Sequence, residues 1–299
     1  MTIEEQKIIC DIFDIPEVAS DLLEFFFDSD ELRFMLNIEH DTFQVQDVGE
    51  EFVNREYKRG LISKTDETGK WFKLNNFYYF LDVFVVGRKN KYDELSDDKK
   101  KSLDRWYFNA YYATLDKTLP QPTTDMVLPM EEMIQKIDAD DRPIYLNYCD
   151  CRSLTGECGL PVRTCITYKN GINSFVDRGL SEQIDKERAK EIIRETDSAG
   201  LMHTVAMGGI CNCCGDCCYL FRSQKRLDSA GRWPLSEYIA QLNEEKCLSC
   251  GRCVSRCHLG VFEKHEGDGI WFHNENCVGC GLCVNTCPTG ALVLKKRKR

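Results

Sequence analysis

The strongest constraint on this chain is a doubled cysteine run near its C-terminus. It reads Cys247-x-x-Cys250-x-x-Cys253-x-x-x-Cys257, and then Cys277-x-x-Cys280-x-x-Cys283-x-x-x-Cys287-Pro288. A cubane of iron and sulfide needs one thiolate at each of four irons. A C-x2-C-x2-C loop wraps one face of such a cluster and supplies three, and the fourth arrives from a distant part of the chain. Zinc knuckles use ligands in pairs and do not repeat a three-plus-one run. Disulfides do not suit a chain without an export signal. The spacing therefore predicts two [4Fe–4S] clusters, and with them one-electron chemistry.

Residues 238–294 resemble a bacterial-type ferredoxin with two clusters. The resemblance implies that the last cysteine of each run ligates the other cluster. Cluster I would then take Cys247, Cys250, Cys253 and Cys287, and cluster II would take Cys277, Cys280, Cys283 and Cys257. Gly251, Gly279 and Gly281 suit tight loops whose N–H groups turn toward sulfur. Cys257-His258 departs from the Cys-Pro that Cys287-Pro288 keeps. Segments 262–264 and 270–273 flank Glu266-Gly267-Asp268-Gly269 and read as a hairpin, with a closing strand over 291–294.

A length of 299 residues predicts two to three domains, and 42% hydrophobic residues can build real cores. The N-terminus is acidic and lacks an apolar signal region, and no run of 18 apolar residues exists to span a membrane. Eighteen cysteines without an export signal imply reduced thiols serving metal, in a cytoplasmic and anaerobic setting. The formal charge is −10. Two clusters, each about −2 with their thiolates, bring it to roughly −14. That charge argues against nucleic acid and favours a redox partner protein with a basic docking face. The basic tail over 295–299 is expected to be a solvated terminus.

Before Cys149 the chain has one cysteine, Cys10, so an apolar core must organise this part. Thr2-x-x-Glu5 is a capping box, and after Pro16 the residues Leu22, Phe25, Phe26, Leu32 and Leu36 recur at helical spacing. A helix is expected over 47–59, stopped by Gly60. Segments 61–63 and 71–74 around Asp66-Glu67-Thr68-Gly69 signal a hairpin. This order resembles a winged helix. Its recognition helix would carry Arg55, Lys58 and Arg59, but also Glu50, Glu51 and Glu56, which repel phosphate. A packing or protein-interaction role is the simpler reading. Ser96 should cap a helix whose Leu103, Trp106, Tyr107, Ala110, Tyr111 and Thr114 share a face. Leu119-Pro120-Gln121-Pro122 ends it as a boundary, and one more helix is expected over 126–137.

Nine further cysteines lie between 149 and 218: Cys149, Cys151, Cys158 and Cys165, then Cys211, Cys213, Cys214, Cys217 and Cys218. Asp185 or Ser181 opens a helix between the two groups, and Gly200 suits its C-cap. Three readings are open: a further iron–sulfur site, structural zinc, or free thiols whose pKa Arg152 lowers. His203 reads as a packing residue, and His258 and His273 as supports beside clusters.

The fold class expected is α+β, with a winged-helix-like module over 1–90, a helical connector over 91–140, a cysteine-rich α/β metal-binding domain over 141–235 and a two-cluster ferredoxin domain over 236–299. The winged-helix-like start, the Tyr148–Arg152 segment, Gly200-Leu201-Met202-His203 and Cys211-Asn212-Cys213-Cys214-Gly215 before a ferredoxin tail resemble a family of 4Fe–4S proteins of anaerobic microbes. The resemblance implies electron carriage beside an oxidoreductase. Two other functions stay open: a catalytic iron–sulfur subunit with its active site in the middle domain, and a redox-sensing DNA-binding regulator. No GxGxxG after a strand, Walker loop or His-Glu-x-x-His indicates nucleotide or zinc-protease chemistry.

Overall fold

The structure is a computed structural model that describes all residues except 39, 119–123, 207, 266–268 and 298–299. The expected boundary at 119–122, the centre of the ferredoxin hairpin turn and the last two residues of the basic tail lie outside the described residues. The fold mixes helices and short strands, as α+β. No helix among the described residues is long and apolar enough to cross a membrane. The chain forms two compact units. One comprises residues 1–113 with 153–155 and 169–182; the other comprises 114–152, 156–168 and 183–299.

The first unit opens with the helix Ile3–Ile12, whose Thr2 and Glu5 complete the capping box. A short 3-10 turn and the helices Leu23–Phe26 and Ser29–Asn37 follow. The helix expected over 47–59 is two helices, Val45–Val48 and Glu50–Arg59, because Gly49 between them sits at a φ of 94°. Strands Phe43–Gln44, Trp71–Leu74 and Ile62–Lys64 form a three-stranded antiparallel sheet in that order. Phe13, Phe26, Phe27, Phe77, Phe80 and Phe84 fill the core, with ring centroids 4.8–6.3 Å apart and several pairs edge to face. Aromatic rings bury large areas and favour such edge-to-face pairs.

The basic residues of the Glu50–Arg59 helix are largely spoken for. Arg59 Nε lies 2.8 Å from Glu31 Oε1 and 3.6 Å from Glu56 Oε2, and Arg55 pairs with Glu56. The segment 169–182 packs on the same helix and sheet. Asp177 bonds the Tyr57 hydroxyl and, at 2.8 Å, Lys64 Nζ. Arg178 donates to the carbonyls of Tyr57 and Ile62 and to Ser63 Oγ.

Glu31 and Glu56 are both fully buried side by side. Burial, then the hydrogen bond to Glu56 and its charge, push the Glu31 carboxyl from 4.5 up to about 9, against the pull of Arg59. A carboxyl whose pKa is raised on folding binds a proton that the unfolded chain has released. The stability it contributes is present below pH 4.5 and is lost as pH rises toward about 9. We predict that the melting point of this unit falls across that window, and that Glu31→Gln flattens the slope. A wild-type melting point that rises through the same window would contradict this placement of the proton.

The second unit is built on a seven-stranded mixed sheet. Its order is Leu235–Ser236, Met126–Leu128, Met202–Ala206, Gly209–Cys213, Cys165–Thr167, Ile144–Asn147, Glu182–Ile184. The helix expected over 126–137 is therefore corrected. Met126–Leu128 is a strand paired with His203–Val205, and the helix runs over Met130–Ala139 after Pro129 at its N-cap. Helix Lys186–Ala199 packs on the sheet, capped by Asp185 and ended by Gly200 in the left-handed region. In the C-terminal part, Tyr238–Leu242 pairs antiparallel with Leu292–Lys296, and Phe262–His265 pairs with Gly269–Phe272. Two short helices, Arg252–Arg256 and Leu282–Thr286, each follow a glycine in the left-handed region.

Candidate metal centres

Two cavities open in the C-terminal part. One, of about 350 Å³ including its mouth, is lined by Cys247, Cys250, Cys253 and Cys287 among apolar residues such as Ile270 and Leu292. The other, of about 380 Å³, is lined by Cys257, Cys277, Cys280 and Cys283 with Met202 and Val278. Each gathers three cysteines of one run and the last of the other. Backbone N–H groups aim at the sulfurs: Ser249 N lies 3.4 Å from Cys247 Sγ, and Gly279 N and Ala240 N lie 3.4 Å from Cys277 Sγ. Bonds of this kind suit thiolates, which accept but do not donate. Burial pushes the thiols of Cys253 and Cys257 up and that of Cys280 up to about 12. These sulfurs are poor anions by themselves and need a cation to ionise. A group that brings iron to four thiols fits the donor set of both cavities.

The cavities differ in exposure. At the first, Cys250 is exposed and Leu248 is 70% exposed. At the second, Cys277 and Cys283 are buried, and the wall residue Met202 lies on the strand beside Cys213. Cys280 packs against the same apolar cluster as Cys211, Cys213 and Cys218.

Residues 240–294 match the family model of the 4Fe-4S dicluster domain. This C-terminal part is of the 4Fe–4S ferredoxin type. No curated protein and no solved structure matches the chain. The ferredoxin-type match accounts for iron–sulfur binding and for the paired cysteine runs, and it stops short of the middle cysteines.

All nine middle cysteines belong to the second unit. Six form a closed ring of touching thiols. Cys149 meets Cys151 and Cys165; Cys151 meets Cys218; Cys218 meets Cys213 at 3.3 Å; Cys213 meets Cys211, and Cys211 meets Cys165. Hydrogen bonds from Cys165 and Cys213 hold the Cys211 thiol down at about 6, and those from Cys151 and Cys213 hold Cys218 well below its ordinary value. The other three, Cys158, Cys214 and Cys217, lie with their sulfurs within 4.8 Å of one another.

Arg152 is the buried cation of this region, at 2% exposure. Its guanidinium donates to Pro161 O at 2.8 Å, Asn212 O at 3.1 Å and Thr164 Oγ1 at 2.7 Å. Burial works against its charge, but the fields of Cys149, Cys165, Cys214 and Cys213 more than offset that and raise its pKa. The sequence offered Arg152 as an activator of one thiol. Its position lets one charge act on cysteines of both groups.

His203 is fully buried, and its Nδ1 donates to Asn212 Oδ1 at 2.7 Å on the neighbouring strand. Asn212 Nδ2 in turn donates to Thr164 O at 2.6 Å, which fixes the amide orientation. His273 lies between Glu263 and Glu275, at 3.6 and 3.8 Å. His258, at the position where Cys-Pro is usual, donates from Nε2 to Gly200 O at 2.8 Å. Its backbone lies over Gly215, where an added Cβ would meet His258 O at 2.7 Å. The departure from Cys-Pro thus ties the ferredoxin-type part to the Gly200 turn through the imidazole.

Proposed function

We propose that this protein carries single low-potential electrons through two [4Fe–4S] clusters and passes them to or from an oxidoreductase partner. Cys247, Cys250, Cys253 and Cys287 would hold cluster I; Cys277, Cys280, Cys283 and Cys257 would hold cluster II. The observation that carries this reading is the composition of the two cavities, each with three cysteines of one run and the fourth of the other. Each cluster supplies a one-electron couple when bound. The chain's own part is to aim N–H groups at sulfur and to exclude water around Cys277 and Cys283, both of which tune the couple.

The exposed edge at Cys250 and Leu248 is where a partner would exchange electrons with cluster I. The six-thiol ring would hold a further iron–sulfur site, because six sulfurs, each meeting its two ring neighbours, exceed the four that one tetrahedral zinc accepts. Its packing against the apolar cluster that also holds Cys280 supports reading it in series with cluster II. The first unit we read as a winged-helix module for protein contacts. Its helix Glu50–Arg59 has Arg55 and Arg59 in internal ion pairs, and its strand residue Lys64 is held by Asp177, so these three cations are engaged within the unit and not offered to phosphate.

Anaerobic reduction with dithionite, followed by electron paramagnetic resonance, tests the reading. Two magnetically interacting reduced clusters per chain are expected. A protein that takes up no electrons, or shows a single isolated signal, would contradict it.

A further inference from the structure

The nine middle cysteines do not form one group. Six close into a ring, and Cys158, Cys214 and Cys217 stand apart with their sulfurs within 4.8 Å of one another. We propose that these three hold one zinc-like divalent ion, separate from the ring, with a fourth coordination position open to a small thiol. The inference deepens the proposed metal binding of the middle cysteines and is independent of the C-terminal clusters.

Four observations carry it. The first is scale. Metal–sulfur bonds of about 2.3 Å in a tetrahedron place the sulfurs about 3.8 Å apart. A cubane stands its outer thiolates on a wider tetrahedron, because the whole cluster lies between them. A trio within 4.8 Å fits a single ion. The second is local geometry. Cys214-Gly215-Asp216-Cys217 is a chelating C-x2-C turn, and Cys217 N donates to Cys214 Sγ at 3.3 Å. The Leu160 N–H aims at Cys158.

The third observation is the missing fourth ligand. Among the described residues no other histidine, cysteine or carboxylate joins the trio, whose apolar neighbours are Leu160 and Leu201. Structural zinc sites are closed by four protein ligands, whereas sites with three keep a position for an exogenous one. The fourth is access. Cys214 and Cys217 are buried, but Cys158 is half-buried, so the open position lies toward solvent on its side.

The donor set chooses the ligand. Three thiolates on a divalent ion leave a soft centre, and Leu160 and Leu201 beside it favour a ligand that is weakly hydrated. A thiol suits both features: it binds through sulfur as the thiolate and releases its proton to solvent.

The test uses full-length protein isolated without oxygen. Zinc and iron per chain are measured in the wild type, Cys217→Ser and Cys158→Ser, the last a half-exposed position where folding is least at risk. Zinc is expected to fall from about one per chain to near zero in both variants while iron stays unchanged. Zinc-edge X-ray absorption should show three sulfurs and one light atom, changing to four sulfurs on addition of 2-mercaptoethanol. Four sulfurs at rest, or no response to the thiol, would overturn the open position. Iron lost from the variants in place of zinc would overturn the separate ion. The C-terminal clusters would stand in either case, because Cys257→Ser reports on them independently.

Discussion

Replacing Cys257 with serine is expected to remove cluster II and leave cluster I. Cys257 belongs by sequence to the first run, but it lines the second cavity with Cys277, Cys280 and Cys283. A serine hydroxyl in that half-buried position does not ionise in place of the thiol, so one iron loses its anchor. Iron should fall by about 4 per chain, and the interaction between the two reduced clusters should vanish from the resonance spectrum. The remaining signal should be that of the more exposed site at Cys250, which meets oxidants and chelators sooner. If Cys257→Ser removed the cluster at Cys247, Cys250 and Cys253 instead, the crossed ligand sets would be wrong. The sequence spacing alone would allow that uncrossed outcome. The cavities argue against it.

Arg152→Met is expected to cost about 3–5 kcal/mol, the usual loss when one partner of a buried charge arrangement is removed. Methionine fills much of the volume but donates to none of Pro161 O, Asn212 O or Thr164 Oγ1, and it leaves the surrounding sulfurs without their cation. Arg152→Lys restores the charge and not the planar fork, so it should recover only part of the loss. The measurement is the rate at which a chelator draws metal from the middle cysteines under anaerobic conditions. At about 1.4 kcal/mol per factor of ten, a cost of this size that falls on the holo state accelerates release by about a hundredfold or more. A variant that releases metal at the wild-type rate would mean that Arg152 packs among the thiols without holding them.

Much of the C-terminal part was legible in the sequence because its chemistry is periodic there. Eight cysteines at repeated spacing, with glycines at the turns, leave little freedom, and the strands around 262–272 and 292–296 follow. The middle sheet was harder to see. Its strands are two to five residues long, and Cys211, Cys213 and Cys165 occupy positions where a hydrophobic alternation would have announced a strand. Met126 and Leu128 are good helix formers, and the segment is a strand because Met202–Ala206 and Leu235–Ser236 pair with it on either side. Gly49 broke a helix that its neighbours favour.

The six-thiol ring draws on distant segments, so no local spacing foretells it. Cys149 and Cys151 come from one loop and helix start, Cys165 from a strand, Cys211 and Cys213 from another, and Cys218 from a helix N-cap. The trio did leave a trace. Cys214-x-x-Cys217 is a chelating pair inside the denser run Cys211–Cys218, hidden by the cysteines on either side. His258 was visible only as a departure from Cys-Pro, and its packing on Gly215 supplies the reason.

The central claim is that this chain is an iron–sulfur electron carrier with two cubanes in its C-terminal part and iron in the six-thiol ring. Its most direct test is the count of iron and acid-labile sulfide on protein isolated without oxygen. The account predicts more than about 8 iron and about 8 sulfide per chain, the excess over two cubanes belonging to the ring. A count of about 8 would confine iron to the C-terminal part and remove the ring from the electron path. Zinc without sulfide would contradict the account altogether.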